Sequence, residues 1–91
     1  MVDETSWPGD DAPGTAPVAT EVDARGLSCP MPVIELARAV DEHPVGTVVR
    51  LLATDPAAKV DVPVWCRMQR QGLQSAAETD GVWTFLVEKL R

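Results

Sequence analysis

The chain has 91 residues, with 14 Asp and Glu against 8 Lys and Arg, a formal net charge of −6, and two cysteines. This length holds one domain with a thin core, and the acidity argues against direct binding to a nucleic-acid backbone, which needs a basic face. Two cysteines and one histidine are too few for a full zinc site, no apolar stretch is long enough for a transmembrane helix, and 45% hydrophobic residues is an ordinary globular content.

The charge is uneven along the chain. Residues 1–17 hold Asp3, Glu4, Asp10 and Asp11 with no Lys or Arg, together with Pro8, Pro13, Pro17, Gly9 and Gly14. Such a stretch has little to bury and reads as a disordered acidic leader. It has no basic start or apolar run, so it is not a secretory signal. The expected location is therefore the cytoplasm, where structural disulfides are rare. Trp7 is either unanchored or a weak docking anchor for a partner. The leader carries −4, which leaves −2 for residues 18–91.

From residue 18 the pattern is that of a folded domain. Val18, Thr20, Val22 and Ala24 alternate with Ala19, Glu21 and Asp23, a strand period. After the turn Arg25-Gly26-Leu27-Ser28, the residues Val33, Leu36, Ala37 and Val40 recur on one face of a helix, which ends at His43-Pro44-Val45-Gly46. Thr47 to Ala53 reads as a second strand. Asp55-Pro56 opens a loop, and Asp61 is the expected N-cap of a second helix with Pro63 in its first turn. That helix is expected to run to about Gln71 and stop at Gly72. Its buried face is expected to hold Val62, Trp65, and Met68 or Gln69. Leu73 to Thr79 and Val82 to Leu90 are strands joined by the hairpin signal Asp80-Gly81. Trp83 and Phe85 are expected in the core.

The order β-α-β-α-β-β implies right-handed crossovers with both helices on one sheet face. The expected fold is α+β, a two-layer α/β sandwich with a mixed four-stranded sheet. The other sheet face is left open, with Val48, Arg50 and Leu52 on it, as a partner surface or as tolerated exposed residues.

The chemistry concentrates in Gly26-Leu27-Ser28-Cys29-Pro30-Met31-Pro32. With Pro30 at the first helical position, Cys29 falls at or near the N-cap, among unpaired N–H groups and at the positive end of the helix dipole. Both features favour a thiolate and lower the cysteine pKa. Pro32 stiffens the first turn. The alternative is a small cysteine that caps a helix without chemistry. Position 32 is Pro, so the pair of cysteines needed for Cys-x-x-Cys exchange is missing. Cys66, beside Trp65 in the second helix, reads as a packed core thiol, with a Cys29–Cys66 disulfide as the other possibility. Parallel first and second strands bring Asp55, Lys59 and Asp61 to the same sheet edge as Cys29. There Lys59 or Arg25 is expected to stabilise a thiolate, while Asp55 is expected to oppose it or cap the loop, in a mainly structural role or as a contact to a partner.

The run from Asp23 to Pro32 resembles the Cys-Pro-x-Pro signature of the TusA/SirA-like sulfur carrier proteins. Ala53-Thr54-Asp55-Pro56, Asp61-Val62-Pro63 and Trp65-Cys66 resemble the family's second block, and Thr84 to Lys89 its last strand. The resemblance covers roughly residues 20–90. It implies that Cys29 carries sulfur as a persulfide, without metal or organic cofactor. It implies a cysteine desulfurase or other sulfur donor protein and a downstream acceptor protein, with no membrane partner. Pathways served in the family include tRNA thiolation, sulfur oxidation, molybdenum cofactor supply and selenium metabolism. Two features depart from the family pattern. Glu35 stands where Lys or Arg is frequent, and Arg70-Gln71 where Gly-His is frequent. Two other functions fit the residues: a non-catalytic interaction module using the open sheet face, and a thiol redox sensor using both cysteines.

Overall fold

Alternation of small and β-branched residues produces the first strand, β1 (Val18–Ala24), and the elements that follow are α1 (Met31–Asp41), β2 (Val48–Ala53), α2 (Ala58–Gln69), β3 (Gly72–Thr79) and β4 (Val82–Glu88). The structure, a computed structural model, describes residues 17–91, so the expected leader, with Trp7, lies outside the described residues save for Pro17. No helix among the described residues is long and apolar enough to cross a membrane.

The strands lie in the order β1-β2-β4-β3. β1 and β2 are parallel, and both β2–β4 and β4–β3 are antiparallel. This is the expected two-layer α+β fold with a mixed sheet. The hairpin turns at Asp80 and Gly81, both at positive φ (52° and 82°), the conformation that a two-residue hairpin loop demands. The helix-facing sheet positions are Val22 and Ala24, Val49, Leu51 and Ala53, Phe85 and Val87. They pack with Leu36, Ala39 and Val40 of α1 and with Ala58, Val62 and Cys66 of α2. Trp83 joins the core partly buried, and Phe85 is 1% exposed. On the far face Arg50 pairs with Glu21 across β1 and β2 at 3.2 Å. Leu52 is half-buried there. Val48 is only 1% exposed, so it does not contribute to an accessible partner surface.

α1 follows the expected periodicity, with Pro32, Leu36, Ala39 and Val40 buried. Its first residue is Met31 and its N-cap is Pro30, one position later than the sequence suggests. The reason is the hydrogen-bond pattern: the Ile34 N–H donates to the Pro30 carbonyl at 3.0 Å, which makes Pro30 the first acceptor of the helix and leaves it outside.

α2 departs further. It begins at Ala58, so Asp61 and Pro63 lie inside it and Asp61 is not the N-cap. The first turn is wound by Ala58, Lys59 and Val60, whose N–H groups donate to the carbonyls of Asp55, Pro56 and Ala57. The missing N–H of Pro63 deprives the Lys59 carbonyl of its helical donor. At the other end, Arg70 (φ 58°, ψ 40°) takes the left-handed cap position rather than Gly72, which starts β3. The Gln71 N–H then reaches back to the Cys66 carbonyl at 2.8 Å, a Schellman-type closure. Met68 is 73% exposed and Gln69 is also exposed, so Ala58 and Cys66 fill the buried positions assigned to them from sequence.

A left-handed conformation costs a non-glycine residue about 1–2 kcal/mol, partly offset by the greater backbone entropy that glycine loses on folding. Arg70→Gly is therefore expected to stabilise the domain by about 0.5–1 kcal/mol. Thermal unfolding should show a rise in Tm of a few degrees; an unchanged or lowered Tm contradicts this account of the cap.

Candidate functional site

β1 and β2 are parallel and paired so that Ala24 lies opposite Ala53. Both strands therefore end at the same edge, and the segments after them, residues 25–30 and 54–57, meet there. Gly26, at φ 83°, turns the first segment, and its N–H donates to Thr54 Oγ1 at 2.8 Å. The Leu27 N–H closes the same turn on the Ala24 carbonyl. Next, Ser28 to Met31 form a tight turn around the cis Cys29–Pro30 peptide, with the Met31 N–H on the Ser28 carbonyl at 2.8 Å. Cys29 sits at the tip of this turn, half-buried and free of any disulfide.

Asp55 fastens the two segments together. Its Oδ2 accepts the Cys29 N–H at 2.9 Å, and its Oδ1 accepts the Ala57 N–H at 3.0 Å at the start of α2. These two backbone donors hold its carboxyl below the usual carboxylate range, that of Ala57 contributing most. Asp55 thus bridges the two segments through backbone hydrogen bonds. Thr54, which sequence reasoning passed over, holds the other end of the loop; its place directly after β2, at the carboxyl edge, was the available signal.

The surroundings of the thiol oppose its ionisation. Its pKa is pushed up to about 11, first by burial, then by hydrogen bonding to Asp61 and the charge of Asp61, and last by the charge of Asp55. This runs against the expected lowering: burial is the first cause, and the local helix start offers little to offset it. Cys29 precedes the N-cap and makes no side-chain capping bond. Two of the first helical donors are unavailable, because the Met31 N–H is bound to Ser28 and Pro32 has none. The expected cations are also engaged elsewhere. Arg25 is bound in a two-pronged ion pair by Asp23, with Nε on Oδ1 and Nη2 on Oδ2, each at 2.8 Å. Lys59 Nζ lies over the Trp83 ring, 5.6 Å from its centroid, at cation–π range.

The structure thus gathers Cys29, Asp55 and Asp61, and leaves Arg25 and Lys59 out of the electrostatics of the thiol. Pro30 is exposed at the cap, and Pro32 is fully buried as a wedge under the first turn. The apolar side chains of Leu27, Met31 and Ile34, in the same loop and first turn, are 38%, 40% and 43% exposed. Cys66 is 2% exposed in the core, and burial raises its pKa to about 11. It has the character of a packed thiol and not of a resolving partner.

Because Asp61 supplies two of the influences that keep the thiol protonated, Asp61→Asn is expected to lower the Cys29 pKa. The pH profile of alkylation by iodoacetamide, followed in a Cys66→Ala background, should move to lower pH. A profile that stays in place or moves up rules out Asp61 as the group opposing ionisation.

The family model described as sulfurtransferase TusA matches residues 20–89. The sulfur carrier protein TusA of Pseudomonas fluorescens is 32% identical over 77 residues, covering 85% of this chain and 93% of that protein. The protein of the same name from Pseudomonas entomophila is 35% identical over 68 residues, covering 75% and 85%. Among solved structures, a SirA-like protein from Desulfitobacterium hafniense superposes with a TM-score of 0.71 at 24% identity, covering 80% of this chain and all of that one; this likeness concerns the fold. With a family match that spans the domain from β1 past the end of β4, and relatives above 30% identity across most of it, this chain belongs to the TusA family of sulfur carrier proteins.

Proposed function

We infer that the protein accepts sulfane sulfur on Cys29 as a persulfide and passes it to a protein acceptor. The observation that carries this reading is the placement of Cys29: a free, half-buried thiol at a turn tip, secured through its own N–H and bordered by exposed apolar side chains. A half-buried cysteine on a backbone secured at both sides suits a group that must be presented to another protein's active site. Leu27, Met31 and Ile34 offer that protein a small apolar landing area, in keeping with a transient interface.

Loading is a sulfur exchange without net redox change. The Cys29 sulfur attacks the terminal sulfur of a donor persulfide, a new S–S bond forms on Cys29, and the donor's S–S bond breaks. The departing donor thiolate takes up the proton that Cys29 gives up, so a thiol and a persulfide are exchanged for a persulfide and a thiol. Discharge is the same reaction toward an acceptor thiolate. A persulfide is more acidic than a thiol, so the loaded form is the one that ionises near neutral pH. The carboxylates of Asp61 and Asp55 oppose anionic charge on this sulfur. They disfavour the Cys29 thiolate both when it attacks the donor and when it departs from the discharged carrier. The positive charge that drives ionisation then comes from the partner, because Arg25 and Lys59 are engaged within the domain.

The donor in this reading is a cysteine desulfurase or another persulfide-bearing protein, and the acceptor serves tRNA thiolation or another sulfur pathway. Two free cysteines accord with a reducing, cytoplasmic setting. The net charge of −6 favours protein partners over direct contact with RNA.

Incubation with a cysteine desulfurase and cysteine, followed by intact-mass measurement, should show the gain of one sulfur atom that reducing agent removes. Cys29→Ala should abolish this adduct, and Cys66→Ala should retain it. An adduct that survives Cys29→Ala, or fails to form on the folded wild-type chain with an active donor, refutes the assignment.

A further inference from the structure

Among the described strands, β1 and β3 form the two edges of the sheet, and β3 pairs with β4 alone. From Gln74 to Thr79 every residue of β3 is exposed. A strand edge presents a row of N–H and C=O groups to which another strand can pair, and folded proteins guard such edges with lysines, prolines, bulges or a covering element. β3 holds no Lys, Arg or Pro, and its single charge is Glu78. Its bulge lies between Leu73 and Ser75, near the start of the strand, and leaves residues 75–79 in regular register. The regular part of β1, in contrast, carries Glu21 and Asp23, both exposed.

The pattern of residues 75–79 is complementary to itself. Ala77 is paired with Thr84, and Thr84 with Leu52, so Ser75, Ala77 and Thr79 lie on the far face of the sheet and Ala76 and Glu78 on the helix side. Antiparallel pairing of two β3 strands about Ala77 sets Ser75 opposite Thr79 of the other copy, Ala77 opposite Ala77, and Glu78 opposite Ala76. Hydroxyl then meets hydroxyl, a favourable cross-strand pair, and no like charges are directly opposed. Pairing of β3 with β1 of another copy would instead set Glu78 against the strand that carries Glu21 and Asp23, and it would repeat without closing, whereas the two-fold pairing closes at two copies.

We propose that two copies of the chain associate edge to edge through residues 75–79 of β3, which joins their sheets into one. The Cys29 turn leaves from β1, three strand spacings from β3, about 14 Å. The two thiols therefore lie on opposite flanks of the joined sheet, and the pairing covers neither. Five residues from each copy make an interface smaller than that of a permanent complex, so the dimer forms only at high protein concentration.

The test places charge on the two-fold axis. Ala77 is exposed, so Ala77→Lys and Ala77→Asp are expected to fold, which their thermal melts verify. Sedimentation equilibrium of the full chain under reducing conditions, from micromolar to millimolar concentration, should show the wild type passing from monomer to dimer. Each variant alone should lose the dimer, because like charges then face each other at position 77. An equimolar mixture of the two should regain it. Nitrogen-15 NMR of the wild type over the same range should move the amide signals of residues 75–79 and leave those of β1 in place. A wild type that stays monomeric at millimolar concentration overturns the proposal. So do a dimer that survives in either variant alone, a mixture that stays monomeric, and shifts that fall on β1 or on the helices, which place the contact elsewhere.

Discussion

One carboxylate joins the two halves of the site. Asp55 accepts the Cys29 N–H on one oxygen and the Ala57 N–H on the other. Hydrogen bonds to a charged group contribute about 1.5–3 kcal/mol when formed, and each lost partner leaves a backbone donor without its acceptor. The same side chain therefore positions the cysteine turn and starts α2, which in turn carries Asp61 to the thiol. The bridge is possible only because β1 and β2 run parallel and end in register at Ala24 and Ala53. An antiparallel pair would place the ends of these strands at opposite edges.

The charge around Cys29 is informative because it runs against the usual design of a reactive cysteine. A thiol that must attack on its own is given cations or a helix terminus. Here the neighbouring charges are carboxylates, and the nearby cations are occupied by Asp23 and by the Trp83 ring. The second cysteine serves as core volume: Cys66 closes the buried face of α2.

Much of the fold was legible from local pattern. The two-residue alternation of Val18 to Ala24, the helical spacing of Leu36 and Val40, and the turn Asp80-Gly81 each predicted the element found, because periodicity and turn chemistry act over a few residues. The limits of α2 were not legible in the same way. Asp61 looks like an N-cap and Gly72 like a stop, yet the cap donors are satisfied by Asp55 and neighbouring carbonyls, and the left-handed position falls on Arg70. The position of the helix is set by packing Ala58, Val62 and Cys66 against the sheet, which overrides local capping preference.

The sequence by itself determined the order of elements, the mixed sheet, and the identity of Cys29 as the residue of interest, since hydrophobic period and a turn of Cys-Pro-Met-Pro are local properties. Tertiary structure decided the state of that cysteine. Which side chains meet a thiol depends on which strand ends share an edge and on how each neighbour is already paired. Lys59 and Asp61 are two residues apart in the chain, but on a helix they face different ways: one covers Trp83, and the other acts on the sulfur. The sign of the electrostatics at Cys29 followed from that rotation, which residue spacing alone does not specify without the placement of α2 on the sheet.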